Sequence, residues 1–457
     1  MNTATLSPGT NAASARSLSV TLVALTASLS GFLFGFDTIV ISGAEQAVQA
    51  LWQTSDGVHG LAISAALWGT VIGALGAFWP SDRFGRRKTL FFIGLLYAVS
   101  ALGSALAWDE WSFMAFRFIG GIGVGISSVA APTYIAEVAP RAKRGRLVGL
   151  FQLSLVIGIL VATLSNSQIN AMADSVAAIG DNAWRWMLGV ELLPAIIYTV
   201  LTRGLPESPR WLATVDDDPD AARATLARLD PDGYQDTMAE IMQAEQGAPS
   251  KLLTSRLAKP LILVTLIAFF NQMSGINAVF YYGPRLFELA QLGQQGALLA
   301  SVGMAAVNVA ATLVGIWLID RLGRRPILMI GCVGFIASLL VIAYGFQTQS
   351  YALVPIAVFA FIGSHGIGSG AIIWSYIAEV FPNDVRAKGQ AYGCGVHWIM
   401  AALITLVWPF VLGAVPTPAI FLTFAALMVA QLVFALFYMV ETKGKSLEEL
   451  SAELVKA

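Results

Sequence analysis

Charge is scarce in this chain. Only 12% of its 457 residues are Asp, Glu, Lys or Arg, against about 25% in an ordinary soluble domain. A soluble fold of this length has no place for a composition that is 56% hydrophobic, so that class is excluded. Cysteine is nearly absent. Cys332 and Cys394 lie far apart in apolar runs, which speaks against a disulfide framework or a zinc site and leaves two small packing residues. No basic stripe interleaved with aromatics marks a nucleic-acid surface. No metal-ligand spacing, nucleophile motif or phosphate-binding glycine loop marks an enzyme or a cofactor site. The glycines scatter through apolar segments, as in Gly120–Gly125, where small residues let helices approach closely.

What the chain has instead is long apolar runs. A helix needs about 20 such residues to cross the hydrocarbon of a bilayer. About twelve stretches qualify, near 18–43, 59–81, 89–107, 112–137, 147–168, 185–203, 260–287, 297–319, 326–345, 352–380, 389–412 and 419–440. The first is too long for a signal-peptide core and has no Lys-rich lead. It is read as a retained span behind a polar, flexible tail at 1–17.

The placement of Lys and Arg then orients the chain. Arg83, Arg86, Arg87 and Lys88 follow the second run, and Arg141, Lys143, Arg144 and Arg146 the fourth. Arg203 and Arg210 follow the sixth, Arg321, Arg324 and Arg325 the eighth, Arg386 and Lys388 the tenth, Lys443 and Lys445 the twelfth. The odd-numbered exits carry no Lys or Arg, with Arg285 as the exception. Both termini and the even loops are therefore expected in the cytoplasm, with the chain in the cell membrane.

The longest hydrophilic stretch, 206–259, alternates charges with Ala and predicts two or three short amphipathic helices. It divides the chain into an N-terminal six-helix unit at 18–205 and a C-terminal one at 260–440, with a tail at 441–457. An internal repeat supports the division. Asp82-Arg-Phe-Gly-Arg-Arg87 matches Asp320-Arg-Leu-Gly-Arg-Arg325, and Tyr134-Ile-Ala-Glu137 matches Tyr376-Ile-Ala-Glu379. Each Glu is followed seven residues later by an Arg, Arg144 or Arg386.

Further motifs stand in order along the chain. They are Gly35-Phe-Asp-Thr-Ile-Val-Ile-Ser-Gly43, Pro206-Glu-Ser-Pro-Arg-Trp-Leu212, Asn271-Gln-Met-Ser-Gly-Ile-Asn-Ala-Val-Phe-Tyr-Tyr282 and Glu441-Thr-Lys-Gly-Lys445. With the two Asp-Arg-x-Gly-Arg-Arg loops they resemble the sugar porter family of the major facilitator superfamily, over nearly the whole chain. The resemblance implies an all-α membrane protein of 12 transmembrane helices in two six-helix bundles, with a small cytoplasmic helical module. It implies a transporter rather than an enzyme, working by alternating access with spans one, four, seven and ten lining a central cavity. Its expected partners are a monosaccharide, a coupling proton and the lipid bilayer; it is expected to be a monomer and to need no cofactor.

Intramembrane charges are expensive and need a reason. Asp37 lies late in span one and Arg117 inside span four, where they can neutralise each other. A static pair that orients two helices is the plainer reading, although buried pairs stabilise poorly compared with apolar packing. The resemblance implies instead that Asp37 is the proton site and Arg117 its partner. Passive members of the family tend to have a neutral residue there, so Asp37 favours symport over a facilitator. A non-transporting sensor, usually marked by long tails, is the weaker alternative.

Gln152, Gln272, Asn277 and Asn308 match family positions that bind sugar hydroxyls. Amides offer both donors and acceptors, so they can replace water around a polyol. Asn277 and Tyr281 share a helix face, whereas Gln272 does not in an ideal helix; Gly275 between them could allow local unwinding. Phe34, Trp374 and Trp398 match aromatic positions suited to sugar C–H faces. The plainer reading of all these is helix-to-helix hydrogen bonding or packing. Two positions depart from the family pattern: Asn271 stands where a glutamine is usual, and His397 where Asn or Gln is. His397 reads as a neutral hydrogen-bonding residue in the substrate site. His59 reads as an outer-surface residue, and His365 has no assigned role.

A further set of charges lies at the basic loops. Asp82, Arg86, Glu137 and Arg144 belong to one half, Asp320, Arg324, Glu379 and Arg386 to the other, and Glu207 and Arg210 open the central module. The resemblance implies an inter-bundle salt-bridge network that holds the inside closed. Topology alone would account for the arginines but not for the paired Glu and Arg spacing.

Overall fold

The computed structural model describes residues 19–140, 143–173, 175–243, 251–382, 385–445 and 447–454. The tail at 1–17 and Arg141 lie outside the described residues. Twelve helical segments are long and apolar enough to cross a membrane. Spans one to six are Val20–Gly43, Asp56–Gly76, Arg86–Ala105, Glu110–Val138, Arg144–Met172 and Gly180–Thr202. Spans seven to twelve are Ser255–Tyr281, Gln294–Ile319, Arg324–Gln347, Leu353–Glu379, Lys388–Ala414 and Thr417–Phe437. The described residues contain no strand.

Several starts are set by short polar side chains that satisfy first-turn N–H groups. Ser19 and Ser55 accept from the N–H three residues on, and Asp109 and Ser112 form a reciprocal capping box at span four. Span two is followed at once by a second helix, Phe78–Phe84, so the apolar run expected to reach 81 is two elements. The hydrophilic stretch forms three short helices, Pro209–Thr214, Pro219–Leu229 and Tyr234–Gln243. They share a small core of Ala213, Ala222, Leu226 and Met238.

The repeat reappears in packing. In the first half, spans one and five, two and four, and three and six pack as pairs; in the second, seven and eleven, eight and ten, and nine and twelve do the same. Spans two with eleven and five with eight join the halves. Small residues make the tightest seams possible. A Cβ on Gly31 or Gly35 of span one would run into the backbone of Phe151 or Leu155 in span five, and one on Gly121 or Gly125 of span four into Ala66 or Thr70 of span two. Close backbone approach of this kind is what holds helices together where lipid gives no hydrophobic incentive.

Two helices of the second half are broken in mid-span. Span seven stops at Met273 and resumes at Ile276 through Gly275, whose φ of +85° suits glycine. Span ten stops at Ile367 and resumes at Ser369.

Candidate functional site

The middle of the first half is charged. Arg117 donates from Nη1 to Asp37 Oδ1 at 2.6 Å and from Nη2 to the Asp37 carbonyl at 2.8 Å. Both residues are buried, at 2% and 0% exposure. Sequence reasoning missed a third member. Glu191 of span six is 1% exposed, and its carboxyl group lies within electrostatic reach of Asp37 and Arg117. Asp37 Oδ2 and Glu191 Oε1 are buried and receive no donor. Tyr97 of span three faces the same two carboxyl groups. The signal that could have found Glu191 is the one that found Asp37, an acidic residue inside an apolar run.

The middle of the second half is uncharged. The break at Gly275 turns Asn277 back toward Gln272, so that Asn277 Nδ2 donates to Gln272 Oε1 at 2.8 Å. Gln272 Nε2 in turn reaches Asn271 Oδ1 at 3.1 Å and His397 Nε2 at 3.1 Å. His397 lies between two indoles, with ring centroids 4.8 Å from Trp374 and 4.9 Å from Trp398. Trp374 and Trp398 stack at 6.2 Å, and Phe34 crosses from the first half to within 5.6 Å of Trp398. Amides, an imidazole and indoles on one surface are the groups that suit an uncharged polyol with apolar C–H faces.

Other expected site residues sit apart from this network. Gln152 is half-buried on span five and Asn308 is buried on span eight, and no hydrogen bond among the described residues ties them to Gln272. Tyr281 is buried near Thr38, Asp37 and Arg117 of the first half, and no hydrogen bond among the described residues ties its hydroxyl to the amides. His59 is not on the surface. It is fully buried, with Nε2 2.9 Å from Glu45 Oε2, because Glu45, beyond the end of span one, turns inward to meet it. His365 is half-buried, with its Nδ1 buried and unpartnered.

The basic face carries two matching clusters. In the first half Arg86 holds Glu137 at 3.0 Å and Asp82 at 3.2 Å, and Glu137 accepts from Ser208 Oγ at 2.6 Å. Glu207 accepts the backbone N–H groups of Arg86 and Ser208, each at 2.8 Å. In the second half Arg324 holds Glu379 at 2.7 Å, and Glu379 accepts from Thr442 Oγ1 at 2.6 Å. Glu441 accepts the backbone N–H groups of Arg324, Arg325, Thr442 and Lys443 at 2.8–3.0 Å. Gly85 and Gly323 make this possible: each has φ near +90°, at +87° and +93°, and a Cβ there would strike the Glu207 or Glu441 carboxylate. Burial acts to raise Glu441, but the backbone donors outweigh it and hold the group below its ordinary value.

The contacts just described each lie within one half, whereas a closed inter-bundle network would bridge the halves; Arg144 and Arg210 are exposed. The Asp320 side chain lies outside the described residues, and Arg386 is half-buried at the start of its helix. On the opposite face, polar contacts do cross between the halves. Asn170 Nδ2 donates to Gln295 Oε1 at 2.9 Å, and Arg285 reaches Gln49 at 3.1 Å and Glu45 at 3.7 Å.

Residues 23–454 match the family described as sugar (and other) transporter. This chain is a sugar porter of the major facilitator superfamily. Among its curated relatives, the glucose transport protein of Synechocystis sp. is 36% identical over 94% of this chain and 97% of its own. The arabinose-proton symporter of Bacillus subtilis is 33% identical over 96% and 95%. The inward-open structure of the xylose transporter XylE from E. coli aligns with a TM-score of 0.84 at 27% identity, covering 95% of this porter and 100% of that chain. The porter is thus a multi-pass membrane protein built for sugar transport, and the amide-aromatic surface and the buried charges lie in the middle of its fold.

Proposed function

We propose that this porter drives uptake of a monosaccharide with protons, by alternating access. The observation that carries the reading is the buried Asp37–Arg117–Glu191 group. Two carboxylates and one guanidinium leave one uncompensated negative charge in a medium that tolerates it poorly. One proton neutralises the group. A proton on Asp37 also removes the charge that strengthens the 2.6 Å bond to Arg117, which loosens span four from span one. Tyr281, on the same broken helix as Gln272 and Asn277, touches this region and offers a path by which sugar and proton sense each other.

On this reading, Gln272, Asn277 and His397 bind hydroxyls, Trp374, Trp398 and Phe34 cover the apolar faces, and Gln152 and Asn308 complete the site when the halves close. The basic loops and both termini are cytoplasmic, the molecule acts as a monomer, and the state described is closed outside and open toward the cytoplasm. Uptake of a labelled hexose and pentose panel into proteoliposomes tests the claim. Accumulation above equilibrium with an inward proton gradient, accompanied by proton entry, is expected. Equilibration alone would mean a passive facilitator, with the charged group a structural feature.

A further inference from the structure

Arg285 is the cation that broke the loop-charge pattern in the sequence, and nothing in the proposed transport chemistry uses it. Its position is specific. It follows span seven on the non-basic face, in the second half, and its guanidinium is 28% exposed. It faces Glu45 of the first half, which is 0% exposed. Glu45 Oε2 is shared: His59 Nε2 lies at 2.9 Å and Arg285 Nη1 at 3.7 Å from the same oxygen. Gln49, one turn beyond Glu45, accepts from Arg285 and donates to Asp56, which starts span two. The same face is closed where Gly57 packs on the Phe410 ring and Gly60 on the Leu406 backbone of span eleven.

We propose that Glu45, His59 and Arg285 form a proton-sensitive clasp that holds the two halves together on the non-basic face, and that a proton taken up there releases Arg285 and lets that face open.

The chemistry follows from the shared oxygen. A carboxylate only accepts, so His59 Nε2 carries the hydrogen and Nδ1 is bare. His59 Nδ1 and Glu45 Oε1 are both buried and unpartnered. The groups facing His59 are Glu45, the Arg285 side chain beyond it, the edge of the Tyr282 ring, and Glu110 at the start of span four. Span eleven meets this face with Leu406, Phe410 and Gly413, none of them titratable. A proton on His59 places a second cation on the oxygen Arg285 uses, while Glu110 supplies a countercharge within the first half. The bond across the halves then weakens while the bonds within the first half survive. No group of three or more His, Cys, Asp or Glu among the described residues could hold a metal ion, which leaves the proton as the natural ligand. In a proton-driven porter the more acid compartment would then favour the face that loads from it.

The inference rests on alternating access and not on Asp37. Spin labels are placed on cysteines introduced at the exposed residues Trp108 and Gln347, one in each half, with Cys332 and Cys394 replaced by serine. The porter is reconstituted in nanodiscs without sugar, and Asp37→Asn removes the midplane proton site. Lowering pH from about 8 to about 5.5 is expected to raise the long-distance population at least about fivefold. His59→Gln and Glu45→Gln should lose that response. Arg285→Gln should show the raised population already at high pH, and Arg285→Lys should retain the wild-type balance, which separates a lost clasp from a lost fold. A response to pH that persists in His59→Gln, or an Arg285→Gln molecule as closed as the parent, overturns the clasp. A single distance population in every variant at every pH overturns alternating access itself.

Discussion

The two halves of this porter share a chassis and differ in the middle. Each pairs its helices in the same order, and each ends on the basic face with an Arg, a Glu and a Ser or Thr hydroxyl joined in one cluster. Midway through the fold the likeness stops. The first half buries two carboxylates and a guanidinium, and its span six turns at Val190–Glu191, between Ala183–Gly189 and Leu192–Thr202. The second half buries amides, an imidazole and indoles, and two of its helices break. Duplication supplied a frame whose ends must match to move together. The middle, where ligands meet helices, was free to diverge, charge to one side and polyol chemistry to the other.

The comparison breaks most sharply at Arg117. Arg117→Gln strands two carboxylates, and loss of one partner of a buried ion group costs about 3–5 kcal/mol. We expect little folded protein and no transport, measured by thermal unfolding in detergent and by uptake. Asp37→Asn should be far milder in stability, since it removes charge rather than stranding it. It should abolish accumulation driven by a pH gradient while leaving sugar binding within a few-fold of wild type. Continued concentration of sugar by this variant would remove Asp37 from the coupling site.

On the other half, Gln272→Ala and Asn277→Ala should reverse the pattern. Each removes hydrogen bonds worth about 0.5–1.5 kcal/mol, so sugar affinity should fall about threefold to tenfold per bond, with the dependence on the proton gradient kept. Trp374→Ala should weaken binding by lost ring contact. Titration calorimetry on folded, purified variants measures all three, and unchanged affinity would return these residues to packing.

The smallest effect is expected where the halves agree. Glu441 has its carboxyl held below the ordinary value of 4.5. A depressed carboxylate stabilises the fold above its unfolded value, and that contribution is lost as pH falls through the lower folded value. The melting temperature of the wild type should therefore drop between the ordinary glutamate range and the more acid folded value. Glu441→Gln should already have lost part of that dependence. An identical acid profile in wild type and variant would show that the backbone donors contribute nothing measurable.

The fold was legible because lipid imposes length and Lys and Arg mark alternate loops; every expected span appears within a few residues. The unwinding at Gly275 was legible too, since Gln272 and Asn277 share no face of an ideal helix. The buried position of His59 was not. A polar residue near a span end reads as exposed unless its partner is known, and Glu45 lies 14 residues away on another helix. Glu191 carries the same local signal as Asp37, an acidic residue inside an apolar run, but its partners sit 154 and 74 positions earlier in the chain (191 minus 37 and 117), a distance that signal does not encode. The inter-bundle salt network was expected from resemblance, but pairing across halves depends on conformational state, and a sequence does not state which one is populated.

The Asp37–Arg117 contact also sets an order of events during synthesis. Arg117 lies 80 residues after Asp37, so at about 5–20 residues per second it follows by roughly 4–16 s. For that interval span one has entered, or waits to enter, the bilayer with a carboxyl group and no counter-ion. An Asp at the centre of an inserting helix costs about 2.5–3.5 kcal/mol, which the apolar residues around it offset. Span one bears that cost alone while the ribosome is still making the helix that will later take its charge.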